Sequence, residues 1–251
     1  MIFEDDNLKI DYFHTEYDDF LINNGKISIK INKLDKKNDN FVSSFLFFAE
    51  TAQIGFASLE VKPDDLAKKK LLNEISFYYC NTTASLFNKN IGSIEYPQNL
   101  PDIYKDKSNE SLKKIIDITD KRFGWGRIYE DLNLYDKGHE RMVLILKNIL
   151  KREESNILLS KDNENIIGFY IFENRKNYTE AIFAGIDHSI KSQFDGYLNF
   201  QAFHKYLFTT EKINYIKTSI TLSNLGVLNI YNKLNYSFYN VKEDYHFFYE
   251  K

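Results

Sequence analysis

Asn224 and Tyr231 stand seven residues apart in SNLGVLNIYNKLNYSFY, residues 223–239. The stretch opens on a cap signal, continues as a short apolar helix pattern and ends as a strand, which puts the tyrosine two turns into a helix. A phenol there has two readings: it fills the core, or it is a proton donor aimed at something bound beside the helix. A second stretch, SIKSQFDGYLNFQAF (189–203), joins a strand to a helix, with Gln193 and Gly196 three apart where the helix begins. The unpaired N–H groups and partial positive charge of a helix N-terminus suit a pyrophosphate. A glycine lets a phosphate approach the backbone closely. The alternative is an ordinary helix start capped by Ser192 or Asp195. A third stretch, RFGWGRIYEDLNL (122–134), gathers the only tryptophan, two arginines, two glycines and two acids. An arginine beside aromatic rings suits a nucleotide, because guanidinium takes phosphate oxygens bidentately while a ring stacks on a base. The alternative is a structured surface loop.

The elements that hold these residues are legible in the C-terminal part. SLKKIIDITDKRF is helical, with Leu112, Ile115, Ile116 and Ile118 on one side and Ser111 as cap; HERMVLILKNILKR is a second helix. NILLSKD and NIIGFYIFENRK predict a hairpin joined at DNEN, and YTEAIFAGIDH a third strand. A long helix (FDGYLNFQAFHKYLFTTEK), an alternating strand (YIKTSITLSN) and a short helix (LGVLNIYNKL) follow. YSFYNV and DYHFFYE are expected as a closing hairpin. The polar, twice-proline stretch EYPQNLPDIYKDKSNE (95–110) is the linker expected between residues 1–95 and 96–251. Sliding the chain by 161 positions sets Ser58 over Ser219, Ser76 over Ser237, Phe77 over Phe238, Tyr78 over Tyr239 and Phe87 over Phe248, a strand–helix–strand unit seen twice. In that register Lys70 faces Tyr231 and Pro63 faces Asn224, so the first copy has lost the chemistry of the second.

Bulk properties remove other classes. The 251 residues carry a net charge of -3, with 33 basic residues scattered among 36 acidic ones. No basic stripe emerges, which argues against nucleic acid as the main partner. A single cysteine, Cys80, excludes an internal disulfide and fits a reducing compartment. Five histidines without close pairs give no zinc spacing, so no metal is expected. No apolar run approaches a membrane span of about 20 residues, and MIFEDDNLKI is not a signal peptide. A soluble, cytoplasmic protein is expected.

From residue 111 to the end, this order of elements resembles the acyl-CoA N-acyltransferase superfamily called GNAT. Its phosphate loop, Q/R-x-x-G-x-G/A, corresponds to Gln193-Phe-Asp-Gly196-Tyr-Leu198, with Leu198 departing from the small final residue. Its later motif, an asparagine after the fifth strand and then a helix with a tyrosine, corresponds to Asn224 and Tyr231. The resemblance implies an α/β (α+β) GNAT fold, a mixed twisted sheet with flanking helices, preceded by a smaller degenerate GNAT-like domain. It implies that Phe194, Asp195, Gly196, Tyr197 and Leu198 hold the CoA pyrophosphate. It also implies that Ala184, Gly185 and Ile186 splay from the next strand to take pantetheine and polarise the thioester. Asn224 would bond the pantetheine arm, and Tyr231 would protonate the leaving thiolate.

A looser resemblance, carried by Phe123, Arg127, the following Tyr-Glu-Asp and the N-terminal DYFHTEYDDFLINNGKISIKI, is to enzymes that acylate dTDP-linked amino-deoxy sugars in cell-surface polysaccharide biosynthesis. It implies an acceptor site of Trp125, Arg127, Tyr129, Glu130 and His14, and a homodimer. Chain length and low glycine content favour 3-hydroxybutanoyl over acetyl transfer to a 3-amino-3,6-dideoxyhexose. Glu180, Asp187, His188 and His14 are the candidates for a general base. The rival readings are an N-acetyltransferase of another amine or peptide, a transferase acting on peptidoglycan precursors, and a CoA-binding protein without catalysis.

Overall fold

The computed structural model describes residues 1–15, 18, 26–122, 130–131, 133–162, 165–190 and 192–249. Its contacts divide the chain into two units, each discontinuous in sequence. Unit 1 comprises Met1–Thr83, Gly126–Arg141 and Val241–Lys251, and unit 2 comprises Ala84–Trp125 and Met142–Asn240. Each is a mixed sheet with helices packed on it. None of the described helices is long and apolar enough to cross a membrane.

Unit 1 contains β1 (Ile2–Glu4), β2 (Leu8–His14), β3 (Ile27–Lys36), α1 (Phe41–Thr51), β4 (Ile54–Val61), α2 (Leu66–Glu74) and the first half of β5 (Tyr78–Asn88). Its strands run β1-β2-β3-β4 and then the second half of β11 (Ser237–Phe248). β3 and β4 are parallel and the other pairs antiparallel. Phe41, Phe45 and Phe48 of α1 bury against Ile29, Ile31, Leu59 and Phe247 of the sheet. Helical spacing on one side and strand alternation on the other bring these apolar faces together.

Unit 2 contains β6 (Asp102–Lys105), α3 (Asn109–Arg122), α4 (Gly138–Leu150), β7 (Ser155–Asp162), β8 (Asn165–Asn174), β9 (Thr179–Ile186), α5 (Gln193–Thr209), β10 (Ile216–Thr221) and α6 (Leu225–Lys233). Its strand order is β11-β5-β10-β9-β8-β7-β6, using residues 237–240 of β11 and 84–88 of β5. Ile115, Ile118, Leu146 and Ile149 of α3 and α4 cover Leu159, Phe169 and Ile171 on one face.

Three expectations change. YSFYNV and DYHFFYE form one strand, β11, not a hairpin. The intervening Lys242-Glu243 has no turn-forming glycine or proline, and both charges are paired on the strand, Lys242 with Glu60 and Glu243 with Lys69. The expected linker 95–110 lies in unit 2 and carries β6, which pairs with β7. The helix cap expected at Ser111 falls three residues earlier, where the Ser108 hydroxyl accepts the Ser111 N–H at 3.3 Å.

The internal repeat is present in the order of elements, β3-α1-β4-α2-β5 and β9-α5-β10-α6-β11. Its register is 159, not 161. Asp65 caps α2 by accepting the Lys68 N–H, and Asn224, 159 positions on, caps α6 by accepting the Val227 N–H. The left-handed residues Gln53 and Lys212 (φ 54° and 60°) keep the same spacing, as do Ser76 and Asn235 (φ 62° and 58°). In this register Leu72, not Lys70, stands opposite Tyr231.

Candidate functional site

The parallel pairing of β9 with β10 stops after Ile216↔Thr179 and Lys217↔Glu180. β9 continues to Ile186 along β8, through Ala184, Gly185 and Ile186 opposite Tyr170, Phe169 and Gly168. Its other edge is thus turned toward a gap between two strands that have parted. Just past the last shared pair, β8 pairing jumps from Phe172↔Ala181 to Ile171↔Phe183, so Ile182 is an extra, bulged residue. A bulge re-aims a backbone N–H out of the ladder. The Thr218 hydroxyl closes the root of the gap by donating to the Ala181 carbonyl at 3.1 Å.

Tyr231 comes to the same root from α6. It is 4% exposed, with its ring edge-on to Phe200 at 5.7 Å and tilted against Tyr236 at 4.7 Å. Burial pushes its phenol up to about 12, while the Thr218 hydroxyl beside it works the other way. The ring is core, as the first reading has it, and the phenol faces the Thr218 hydroxyl at the strand split. Asn224 sits at the start of the same helix and accepts the Val227 N–H at 3.3 Å through Oδ1. That cap leaves the two amide N–H donors of its side chain unspent.

α5 begins where the gap opens outward. Ser192 caps it, accepting from Phe194 N–H at 3.1 Å and Asp195 N–H at 3.5 Å. This is the ordinary helix start. Phe194 and Asp195 are exposed, Gly196 is buried, Tyr197 and Leu198 are half-buried, and Gln193 opens the helix. A methyl group on Gly196 would lie 3.6 Å from Ile186 and 3.9 Å from Ile230, ordinary contacts, so packing does not demand glycine there.

Of the base candidates, Asp187 lines a cavity of about 280 Å³ with Lys114, Asp162, Asn165, Ile167 and Ser189. Burial opposes its charge, but Lys114 at 2.7 Å and the Ser189 N–H at 2.9 Å outweigh that and hold the carboxyl well below the carboxylate range. Such a group is a poor proton acceptor at neutral pH. His188 Nδ1 lies 3.2 Å from it, and Glu180 is paired with Arg175 at 2.9 Å.

No family model matches the sequence, and no curated protein matches it. Solved structures do match. A GCN5-related N-acetyltransferase from Sphaerobacter thermophilus superposes with a TM-score of 0.61 at 9% identity, covering 96% of this chain and 76% of that one. A GCN5-related N-acetyltransferase from Kribbella flavida gives 0.57 at 15% identity, covering 98% and 88%. A tandem GNAT protein from the clavulanic acid biosynthesis pathway gives 0.57 at 8% identity, covering 96% and 78%. The fold is the GNAT fold.

Within this GNAT fold the residues expected on the donor side, Ala184–Ile186, 193–198, Asn224 and Tyr231, all fall in unit 2. Trp125, Arg127 and Tyr129, with Phe123, lie outside the described residues, and the half-buried Glu130 and His14 belong to unit 1. Three features escaped the sequence reading. The bulge at Ile182 and the tie from Thr218 depend on strand register, which no local pattern encodes. The third is a buried polar line behind Tyr231. His204 is bonded through Nδ1 to the Phe200 carbonyl (2.6 Å) and through Nε2 to the Tyr236 hydroxyl (2.7 Å). Burial lowers its pKa to about 4, so the ring is neutral; Nδ1–H donates to Phe200 and Tyr236 donates to Nε2. In unit 1, Cys80, Asp131 and His246 place ligand-capable atoms within 4.8 Å of one another. The Asp131 carboxylate there bonds His246 Nδ1 (2.5 Å), the Tyr78 hydroxyl (2.9 Å) and the Asn133 N–H (2.8 Å).

Proposed function

We propose that unit 2 is an N-acyltransferase that moves an acyl group from a CoA thioester to an amine by direct attack in a ternary complex. The observation that carries this is the parting of β9 from β10 with the Tyr231 phenol beside Thr218 at its root. In this reading pantetheine lies in the gap and pairs with the free edge of β9. The N–H groups at the Ile182 bulge meet the thioester oxygen as charge develops on it. The neutral amine nitrogen bonds to the carbonyl carbon, the C–S bond breaks, Tyr231 gives its proton to the departing thiolate, and the proton shed by the nitrogen returns through water to the Tyr231 phenolate. With its pKa raised to about 12, the phenol is fully protonated at neutral pH. The CoA pyrophosphate takes the start of α5, replacing the Ser192 hydroxyl on the N–H groups of Phe194 and Asp195.

For the acceptor we propose the amino group of a dTDP-linked amino-dideoxyhexose, with 3-hydroxybutanoyl favoured over acetyl. That finer reading is supported by the sequence stretches around Arg127 and at the N-terminus. Residues 1–95 are read as the degenerate partner domain, and the protein as a cytoplasmic homodimer. The departure of Leu198 from the small final residue of the phosphate loop favours a second reading, a CoA-binding protein without turnover.

Thermal unfolding with CoA, acetyl-CoA, 3-hydroxybutanoyl-CoA and dTDP tests these readings, because a ligand that binds only the native state raises the melting point. Shifts with a CoA species and with dTDP are expected. No shift with any CoA contradicts the acyltransferase; binding without acyl transfer to any amine supports the silent form.

A further inference from the structure

β10 has two faces. Ile216, Thr218 and Ile220 are buried, whereas Tyr215, Lys217 and Ser219 are not. Strand alternation places the second set on the opposite side of the sheet from Thr218. An acceptor that reaches the strand split therefore has the Lys217 face open to it. That face carries a continuous row of four rings. Tyr178 lies 5.9 Å from Tyr215, Tyr215 lies 6.3 Å from Phe87, and Phe87 lies 5.6 Å from Tyr239. Phe87, Tyr178 and Tyr215 are half-exposed and Tyr239 is 52% exposed, so the row is a surface, not core.

Two ammonium groups sit in the row. Lys217 Nζ lies over Tyr178 at 4.1 Å, with Tyr215 at 5.5 Å and Tyr239 at 5.8 Å, and Lys89 Nζ lies over Phe87 at 5.3 Å. The neighbouring acid, Glu180, is paired with Arg175. The charge offered is positive, which disfavours a bare cationic amine and favours an acceptor that carries anionic groups elsewhere. Ring faces beside ammonium groups are the chemistry that stacks a base and holds phosphate oxygens.

We propose that the Tyr178–Tyr215–Phe87–Tyr239 row with Lys217 and Lys89 binds the acceptor through an anionic, ring-bearing half of the nucleoside diphosphate class. This rests on unit 2 being the acyltransferase. Lys217 also pairs with Glu180 at the last rung before the split, which puts the row beside the proposed reaction centre.

The test is calorimetric titration of the full chain with CoA alone, dTDP alone, and dTDP after saturation with CoA, repeated for Lys217→Ala and Tyr239→Ala. Tyr239 is exposed enough for its truncation to leave the fold intact, and CoA affinity reports folding of both variants. The expected result is dTDP binding to the CoA-saturated protein, weakened about tenfold in each variant, with CoA affinity unchanged. Unchanged dTDP affinity in both variants overturns the proposal. Binding of CoA but not dTDP by the wild type also overturns it while leaving the acyltransferase reading standing. Displacement of dTDP by CoA gives the row to the adenosine half of CoA and overturns it too. Failure to bind CoA is the separate result that removes the reading beneath.

Discussion

The two repeats run through the same elements and differ where the chemistry is read. In unit 2 the parallel strands part after two pairs; in unit 1 β3 and β4 stay paired over five, from Ile27↔Ile54 to Ile31↔Leu59. In the shared register Tyr231 answers to Leu72, which is fully buried. His204 answers to Phe45 and Tyr236 to Phe77. The ring centroids are 5.7 Å apart in both pairs, but one pair is hydrogen-bonded and the other apolar. α5 has seven residues, 193–199, with no counterpart in α1, about two turns that include the whole candidate phosphate loop. Unit 1 keeps a cavity of about 490 Å³ between the end of β3 and α2. Its own Lys68 ammonium reaches across to the Leu34 carbonyl. The comparison teaches that one frame keeps its parallel strands zipped in one unit and parts them in the other, and the proposed site lies where they part.

The sharpest way to break this comparison is to remove the phenol that unit 1 lacks. Tyr231→Phe is expected to cut acyl transfer by 10²–10⁴-fold, with CoA affinity by calorimetry close to wild type. Equal turnover would make Tyr231 a core residue like Leu72. Next comes the polar pair. His204 has its pKa lowered to about 4, so the unfolded chain binds the extra proton first as pH falls. Its stabilising contribution is complete above pH ~6.5 and is lost as pH falls through 4, a change of roughly 3 kcal/mol. Giving unit 2 the unit 1 pair, His204→Phe with Tyr236→Phe, should flatten that part of the melting-point-against-pH curve. An unchanged slope would place the acid sensitivity elsewhere.

Much of unit 2 was legible because its signals are local. The periodicity of α3 to α6 and the alternation of β7 to β10 follow from side chains a few residues apart. The repeat was legible but misregistered by two positions. Five chance-prone identities outweighed marks that only the backbone displays, the caps at Asp65 and Asn224 and the left-handed residues Gln53, Ser76, Lys212 and Asn235. The closing strand reads as a hairpin because the charged Lys242-Glu243 interrupts its apolar pattern, when both charges are matched by Glu60 and Lys69. The split, the bulge at Ile182 and the His204–Tyr236 bond join residues tens of positions apart, and no window of sequence holds them.

Smaller effects sharpen the picture. Thr218→Val removes the hydroxyl that ties Ala181 and moderates Tyr231. It should slow transfer about tenfold and move the Tyr231 ionisation, followed by ultraviolet titration, further up. Thr218→Ser should restore both; a valine variant indistinguishable from wild type would leave Thr218 as packing. The smallest expected change in stability is that of Gly196→Ala, a gain of about 0.5–1 kcal/mol because alanine favours a helix interior and the space is there. The proposed close approach of a phosphate to this backbone makes weaker CoA binding, read by calorimetry, the expected companion.

The central claim is that the unit 2 gap, and not its unit 1 counterpart, is the acyl-CoA site. Hydrogen–deuterium exchange with and without CoA tests it most directly, because each backbone segment reports for itself. The account predicts new protection at residues 181–186 and 193–198, and none at 32–36 or 65–74. Protection confined to unit 1, or saturation with CoA that leaves 181–186 unprotected, would contradict it.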